Sequence, residues 1–181
     1  MRCPLCKKQT MTAVDLVSGL SGARCGECAG VWVGRGNYDS WRTKHPGDIP
    51  ENPVPVQLAA NEPHTSKVCP QCGHLLLPYR VGHGLPFSID YCGACGGVWL
   101  DPNEWDAIKA KNLHDNLHQI VSSQWQADVR HAEVQKAIEE AHRLHLGATY
   151  DKAREVRSWL RTQPQRTLIL AYLSDEAPEG K

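Results

Sequence analysis

All eight cysteines of the chain fall into two copies of one pattern. Cys3-Pro4-Leu5-Cys6 is followed by Cys25-Gly26-Glu27-Cys28, and Cys69-Pro70-Gln71-Cys72 by Cys92-Gly93-Ala94-Cys95. Two cysteines three apart in a tight turn offer two convergent sulfurs. A second such turn brought alongside offers two more, which completes the donor set of a tetrahedral zinc ion. Pro4 and Pro70 preset the turn backbone, and Gly73 and Gly96 suit a left-handed residue after the second cysteine. Lys7 and Ala29 stand at those places in the first copy, which predicts strain there. Disulfides are the alternative in a secreted chain. Met1-Arg2 leads directly into the first ligand with no apolar leader. The expectation is a reducing, cytoplasmic setting, with two structural zinc ions held by Cys3, Cys6, Cys25 and Cys28 and by Cys69, Cys72, Cys92 and Cys95. A redox C-x-x-C pair fits less well, because it comes singly at the start of a helix in a βαβ unit.

The longer pattern C-P-x-C, spacer, C-x-x-C-G-G-V-W-L-D-x-x-E resembles the bacterial and archaeal zinc ribbons named for their likeness to the ribbon of general transcription factor IIB. The copy from Cys69 to Glu104 keeps Trp99, Asp101 and Glu104, with Asn103 where the family usually has glycine. The copy from Cys3 to Tyr38 keeps Trp32 and Gly36, with Gly34 and Asn37 at the acidic positions. The resemblance implies a zinc-ribbon fold for both copies. It makes transcription the first role to test, since likeness of fold does not carry function.

Composition narrows the choice further. Twenty basic side chains face twenty acidic ones, so the chain as a whole is not a polyelectrolyte binder. Residues 1–44 hold seven basic against three acidic side chains, a net +4 that a four-thiolate zinc site lowers to +2. Residues 68–101 reach about −3 on the same reckoning, so the two copies present different surfaces. The longest apolar run, Leu168 to Leu173, is too short to span a bilayer.

The organisation expected is a first ribbon over 1–44, a Pro-rich linker over 45–67, a second ribbon over 68–101, a helical domain over 102–173 and a loose tail over 174–181. The fold class is small metal-stabilised β plus an all-α C-terminal region, α+β overall. Each ribbon needs a hairpin and a third strand, with Phe87–Tyr91 as one such strand. Val54–Leu58 is read either as linker or as a strand lying across a ribbon. Asp101-Pro102-Asn103-Glu104 reads as a helix start, with Asp101 as N-cap and Glu104 at the capping-box position. Trp105–Leu146 contains no glycine or proline and reads as one helix, or as two broken near Ser122-Ser123-Gln124, with Gly147 as C-cap. Further helices are expected over 150–162 and 165–173.

Three groups of side chains have both a functional and a plain reading. Trp32 and Trp99 serve as stacking platforms or as covers over the zinc sites, and in so small a domain the second is favoured. His114 and His118, with His142 and His145, have helical metal-ligand spacing. They lack the accompanying glutamates of known helical metal motifs, so they and His131 read as solvated polar-face residues. Arg154, Arg157 and Arg161 form one stripe beside Ala153, Val156 and Leu160, either a candidate partner-binding face or a solvated one. No nucleophile elbow, phosphate-cradling loop or open zinc position points to catalysis. The reading reached is a non-enzymatic adaptor or regulator with a protein partner. The alternatives are direct nucleic-acid binding through the first ribbon and the Arg154–Arg161 helix, and, more weakly, a histidine-based metalloenzyme.

Overall fold

The computed structural model describes residues 1–8, 11–46 and 66–175. Most of the expected linker, Val54–Leu58 included, and most of the expected tail lie outside the described residues. The chain divides into two compact units, Met1–His131 and Ala132–Lys181.

The first unit runs through the same series twice: a hairpin, a short third strand, then helix. Strands β1 (Met11–Asp15), β2 (Ser21–Cys25) and β3 (Val31–Val33) lead into α1 (Arg35–Lys44). Strands β4 (Leu77–Gly82), β5 (Leu85–Tyr91) and β6 (Val98–Leu100) lead into α2 (Glu104–Ala110) and α3 (Leu117–Ile120). All six strands form one sheet in the order β1-β2-β3-β6-β5-β4. Its centre is the antiparallel pair β3–β6, with Trp32 directly opposite Trp99.

The pleat sorts the side chains of that centre. Val31, Val33, Val98 and Leu100 enter a core with Tyr38, Trp41, Trp105, Ile108, Leu117 and Ile120 from the three helices. Trp32 and Trp99 enter another core with Cys3, Cys25, Cys69 and Cys92. Each tryptophan lies over a glycine of the other ribbon. A Cβ on Gly97 would sit 2.2 Å from Trp32, and one on Gly30 would sit 2.4 Å from Trp99. The two ribbons are therefore one sheet joined by a reciprocal tryptophan–glycine contact. The sequence predicts two successive ribbons, and the partner across β3 cannot be read from a local pattern.

Helix α1 is absent from the sequence reading, although the repeat itself carried the signal: a helix follows Trp99, so one should follow Trp32. Its Tyr38 hydroxyl donates to the His114 carbonyl at 3.2 Å and accepts the Leu117 amide at 3.0 Å, anchoring α1 beside α3. The stretch Trp105–Leu146 is neither one helix nor two but three, α2, α3 and α4 (Ser123–Leu146). The break near Ser122 is as expected, with the Ser122 hydroxyl accepting the Trp125 amide at 3.2 Å. The earlier break uses asparagine in place of glycine. Asn112 adopts φ 53°, its amide returns to the Lys109 carbonyl, and the Leu113 amide returns to Ile108. That is a Schellman closure, with Leu113 and Ile108 both in the core.

Asp101 is not the N-cap of α2. The helix begins after Asn103 at φ 70°, and no side chain caps it. Glu104 does reach back, accepting the Asp101 amide at 2.8 Å. Because α2 and α3 complete the core under the sheet, they belong to the first unit, together with the first turns of α4. Trp125 donates its indole N–H to the Val81 carbonyl at 2.9 Å. The Gln126 amide takes both the N–H and the C=O of Arg80, at 3.2 and 2.8 Å, on the edge strand β4. These bonds occupy the free edge of the sheet at Arg80 and Val81.

The second unit holds the remainder of α4, a 3-10 turn at Gly147–Thr149, α5 (Tyr150–Arg161) and α6 (Arg166–Ser174). Gly147 stands at the end of α4 with φ 50°. Glu139 accepts two bonds from Arg157, at 2.7 and 2.9 Å, and one from the Tyr150 hydroxyl. These contacts tie α5 to α4.

Candidate metal centres

The four cysteine turns share one backbone geometry. The amides of Lys7, Ala29, Gly73 and Gly96 each return to the carbonyl of the cysteine four residues earlier, at 2.8 to 3.0 Å. All four residues are left-handed, at φ 59°, 60°, 79° and 72°. Lys7 and Ala29 adopt the glycine conformation without being glycine, at a cost of ~1 kcal/mol each. The amides of Cys3, Cys25, Cys69 and Cys92 are closed in turn by the carbonyls of Lys8, Gly30, His74 and Gly97.

This geometry gathers Cys3, Cys6, Cys25 and Cys28 into one cluster and Cys69, Cys72, Cys92 and Cys95 into another, with all ligand atoms of a cluster within 4.8 Å. Sulfur–sulfur separations are 3.6 Å for Cys3–Cys28 and Cys69–Cys95, and 3.4 Å for Cys6–Cys25 and Cys72–Cys92. A disulfide needs about 2.05 Å. Four ligands at about 2.3 Å from a tetrahedral zinc lie about 3.8 Å apart, which these separations approach. Without a cation, burial opposes charge on most of these sulfurs. Burial pushes the Cys3 and Cys28 thiols up and takes Cys69 to about 12. Burial also acts upward on Cys92, but the Cys95 amide and its other donors outweigh it and bring it down to about 7. Four thiolates this close coexist only around a cation, and both clusters fit a structural zinc ion closed by four sulfurs.

Beside the second cluster lies a buried polar group that the sequence reading did not find. Lys67 donates to Asp90 at 2.7 Å and to Asp101 at 2.5 Å while only 4% exposed. Burial acts to lower its ammonium, but the bonds to Asp101 and Asp90 outweigh that and raise it. The other Asp101 oxygen accepts the Trp99 indole N–H at 2.7 Å. Lysine just before a cysteine turn carries no sequence signal of burial, and position 67 falls within the expected linker. Asp101 thus links Lys67 to the central tryptophan, and this accounts for the acidic residue after the tryptophan better than capping does.

Glu104 adjoins this group at 8% exposure. Burial, reinforced by the Asp101 and Asp90 charges and opposed by the Asp101 amide and Lys67, pushes its carboxyl up to about 8. A carboxyl raised on folding binds its proton more tightly in the native state. Its contribution is therefore lost progressively as pH rises from the ordinary carboxylate range through about 8. Glu104→Gln keeps an acceptor for the Asp101 amide and removes the titration. At pH 8.5 the variant is expected to be more stable than the parent by ~1–3 kcal/mol, with the difference shrinking toward pH 5. Denaturant unfolding at both pH values checks this, and parallel profiles would contradict it.

The histidines do not meet. His114 is not a solvated helix residue: it lies in the turn before α3, fully buried, with its ring 6.1 Å from Trp41 and 6.5 Å from Trp105. His118 on α3 contacts Asp39 at 3.2 Å. His131, His142 and His145 are exposed on α4. Among the described residues, the only metal-type clusters of histidine, cysteine or carboxylates are the two cysteine sets. Arg154, Arg157 and Arg161 lie exposed on α5, Arg157 paired with Glu139 and Arg154 3.7 Å from Asp151.

Fold and clusters together define a tandem zinc-ribbon protein. Residues 2–44 and 68–111 each match the transcription factor zinc-finger family model, and both segments are zinc ribbons of that family. The matched spans end with α1 and just past α2, so the helix after each third strand is part of the repeat. Comparison with curated proteins and with solved structures finds no match for the chain. Among the described residues no helix is long and apolar enough to cross a membrane.

Proposed function

We propose that this protein is a non-enzymatic adaptor that docks on a macromolecular machine, with the transcription apparatus the first to test. The ribbons form a rigid, metal-fixed platform, and the exposed face of α5 makes the contact. Zinc closed by four thiolates has no position for substrate or activated water. The observation carrying the reading is that Arg154 and Arg161 stand exposed seven residues apart, on one face of α5. Aligned guanidinium groups on one face suit an acidic protein surface. Arg157 is the third member of the stripe and also holds α5 through Glu139.

Nucleic acid is the second reading. Less supports it, because the chain has no net positive charge, and the arginines of α5 and the basic side chains of the first ribbon are alike partly paired within the chain, Lys8 with Glu27 and Arg35 with Asp39. The test is Arg154→Glu with Arg161→Glu, leaving the Arg157 ion pair intact. Exposed charges contribute ~0–1 kcal/mol each, so the fold survives. A tagged chain recovered from cells is expected to lose its protein partner, with affinity falling at least about tenfold. Retention of the partner by the double variant would sink the α5 surface. Binding to duplex DNA that weakens steeply with salt would favour the second reading.

A further inference from the structure

The repeat gives each cysteine a counterpart. Of the eight, only Cys72 is exposed, and Cys6 at the same place in the first copy is half-buried. Lys8, two residues after Cys6, donates to Glu27 between Cys25 and Cys28 at 3.1 Å. That ion pair joins the two turns of the first cluster. The second copy has His74 and Ala94 at those places, and alanine cannot complete such a pair. Within the second cluster Cys69 is buried, and its sulfur accepts the Gln71 amide at 3.4 Å. Cys72 stands at the surface, with its sulfur 3.4 Å from that of Cys92 on the opposite turn.

We propose that the second cluster is a redox-sensitive site, opened by a hydroperoxide at Cys72. Zinc-bound sulfurs are thiolates, and among thiolates the exposed one is oxidised first. The Cys72 sulfur attacks one oxygen of the hydroperoxide, and the O–O bond breaks. Cys72 becomes a sulfenic acid, and the other oxygen leaves as alkoxide or hydroxide and takes a proton from water. The Cys92 thiolate then attacks the Cys72 sulfur, and the S–O bond breaks with loss of hydroxide. Two thiolates have lost two electrons to form one disulfide, and the hydroperoxide has gained them. The two sulfurs close from 3.4 Å to about 2.05 Å. Only Cys69 and Cys95 remain as donors, too few to close a zinc site. The consequence reaches beyond one ribbon, because the turn from Cys92 to Cys95 runs into Gly96 and Gly97. A Cβ on Gly96 would sit 2.5 Å from Cδ of Arg35 on α1, and Gly97 lies under Trp32. Displacing this turn disturbs the first ribbon directly, so one exposed sulfur governs a sheet that both ribbons share. The proposal needs the second metal site and not the adaptor role.

The test treats the full zinc-loaded chain with sub-stoichiometric hydrogen peroxide, alkylates the remaining thiols and maps every cysteine by peptide mass spectrometry. Cys72–Cys92 is expected as the first disulfide, with zinc release and the tryptophan change on the same time course. Glu27→Ala should speed oxidation of the first cluster, and His74→Lys with Ala94→Glu should slow that of the second. Each change is expected to be roughly two- to fivefold, the scale of one exposed ion pair. All three positions are exposed, so the fold is retained. Oxidation of both clusters at one rate, or of Cys6 before Cys72, overturns the proposal. A first disulfide within one turn, between Cys69 and Cys72, overturns the part given to Cys92. Unchanged rates in the substituted chains overturn the part given to the ion pair.

Discussion

Stripping both zinc ions from the full chain is expected to abolish the six-stranded sheet and to release α1, α2 and α3 with it. A structural zinc site supplies ~10–16 kcal/mol of apparent binding energy, comparable with or above the ~5–15 kcal/mol net stability of a whole domain. The core containing Trp32 and Trp99 is itself built from Cys3, Cys25, Cys69 and Cys92 and is lost with the metal, and the core under the other face of the sheet depends on the same β3–β6 pair. The β3–β6 pair makes the loss shared. Cys69→Ser, which opens only the second cluster, is expected to weaken zinc binding by the first as well. A chelator titration followed by tryptophan fluorescence and far-ultraviolet circular dichroism checks both. The signal of the buried tryptophans Trp32, Trp41, Trp99 and Trp105 should collapse in one step, with helical signal retained from Ala132–Ser174. Persistence of the sheet without metal, or two independent steps, would contradict the shared core.

The second large effect concerns Gly97. Gly97→Ala places a methyl group 2.2 Å from Cζ2 and 2.4 Å from Cη2 of Trp32. The indole has nowhere to go, being 2% exposed and packed in one core with Trp99 and the cysteines. Overpacking a tight core costs ~1–3 kcal/mol and occasionally more, and a rigid ring under a backbone atom belongs at the upper end. The expected loss is about 3 kcal/mol with both zinc ions still bound. Gly30→Ala should behave alike through Trp99, with its Cβ 2.4 Å from the ring. Gly93→Ala is the control, because a Cβ there meets nothing within 4 Å and should change stability by less than ~0.5 kcal/mol. Denaturant unfolding of the three variants reads these differences. A Gly97→Ala protein as stable as the parent would show that the two ribbons are not locked through their tryptophans.

What the sequence disclosed was what local chemistry determines. Cysteine spacing located both metal clusters. Glycine at 73 and 96 revealed the left-handed residue of the turns, and even the strain at Lys7 and Ala29 was legible, since conformation there depends on the residue itself. Periodicity and caps located α5, α6 and the break at Ser122. What stayed hidden depends on residues distant in sequence. The β3–β6 pairing makes one sheet from two ribbons, and no short pattern names a strand's partner. The burial of Lys67 follows from Asp90 and Asp101, 23 and 34 residues away. Asn112 ends α2 inside a stretch that reads as helix up to Ser122, and the Schellman turn it makes places His114 in the core rather than on a helix face. The missing α1 is different in kind. The repeat implied it, and reading the first copy by analogy with the second would have found it.

The account rests on two closed four-thiolate zinc sites in one folded chain, and native mass spectrometry of the full protein tests that most directly. The predicted result is the mass of the chain with two zinc ions and no disulfide, with both ions lost together on acidification. A single zinc ion, iron in its place, or a chain lighter by the hydrogens of a disulfide would contradict it.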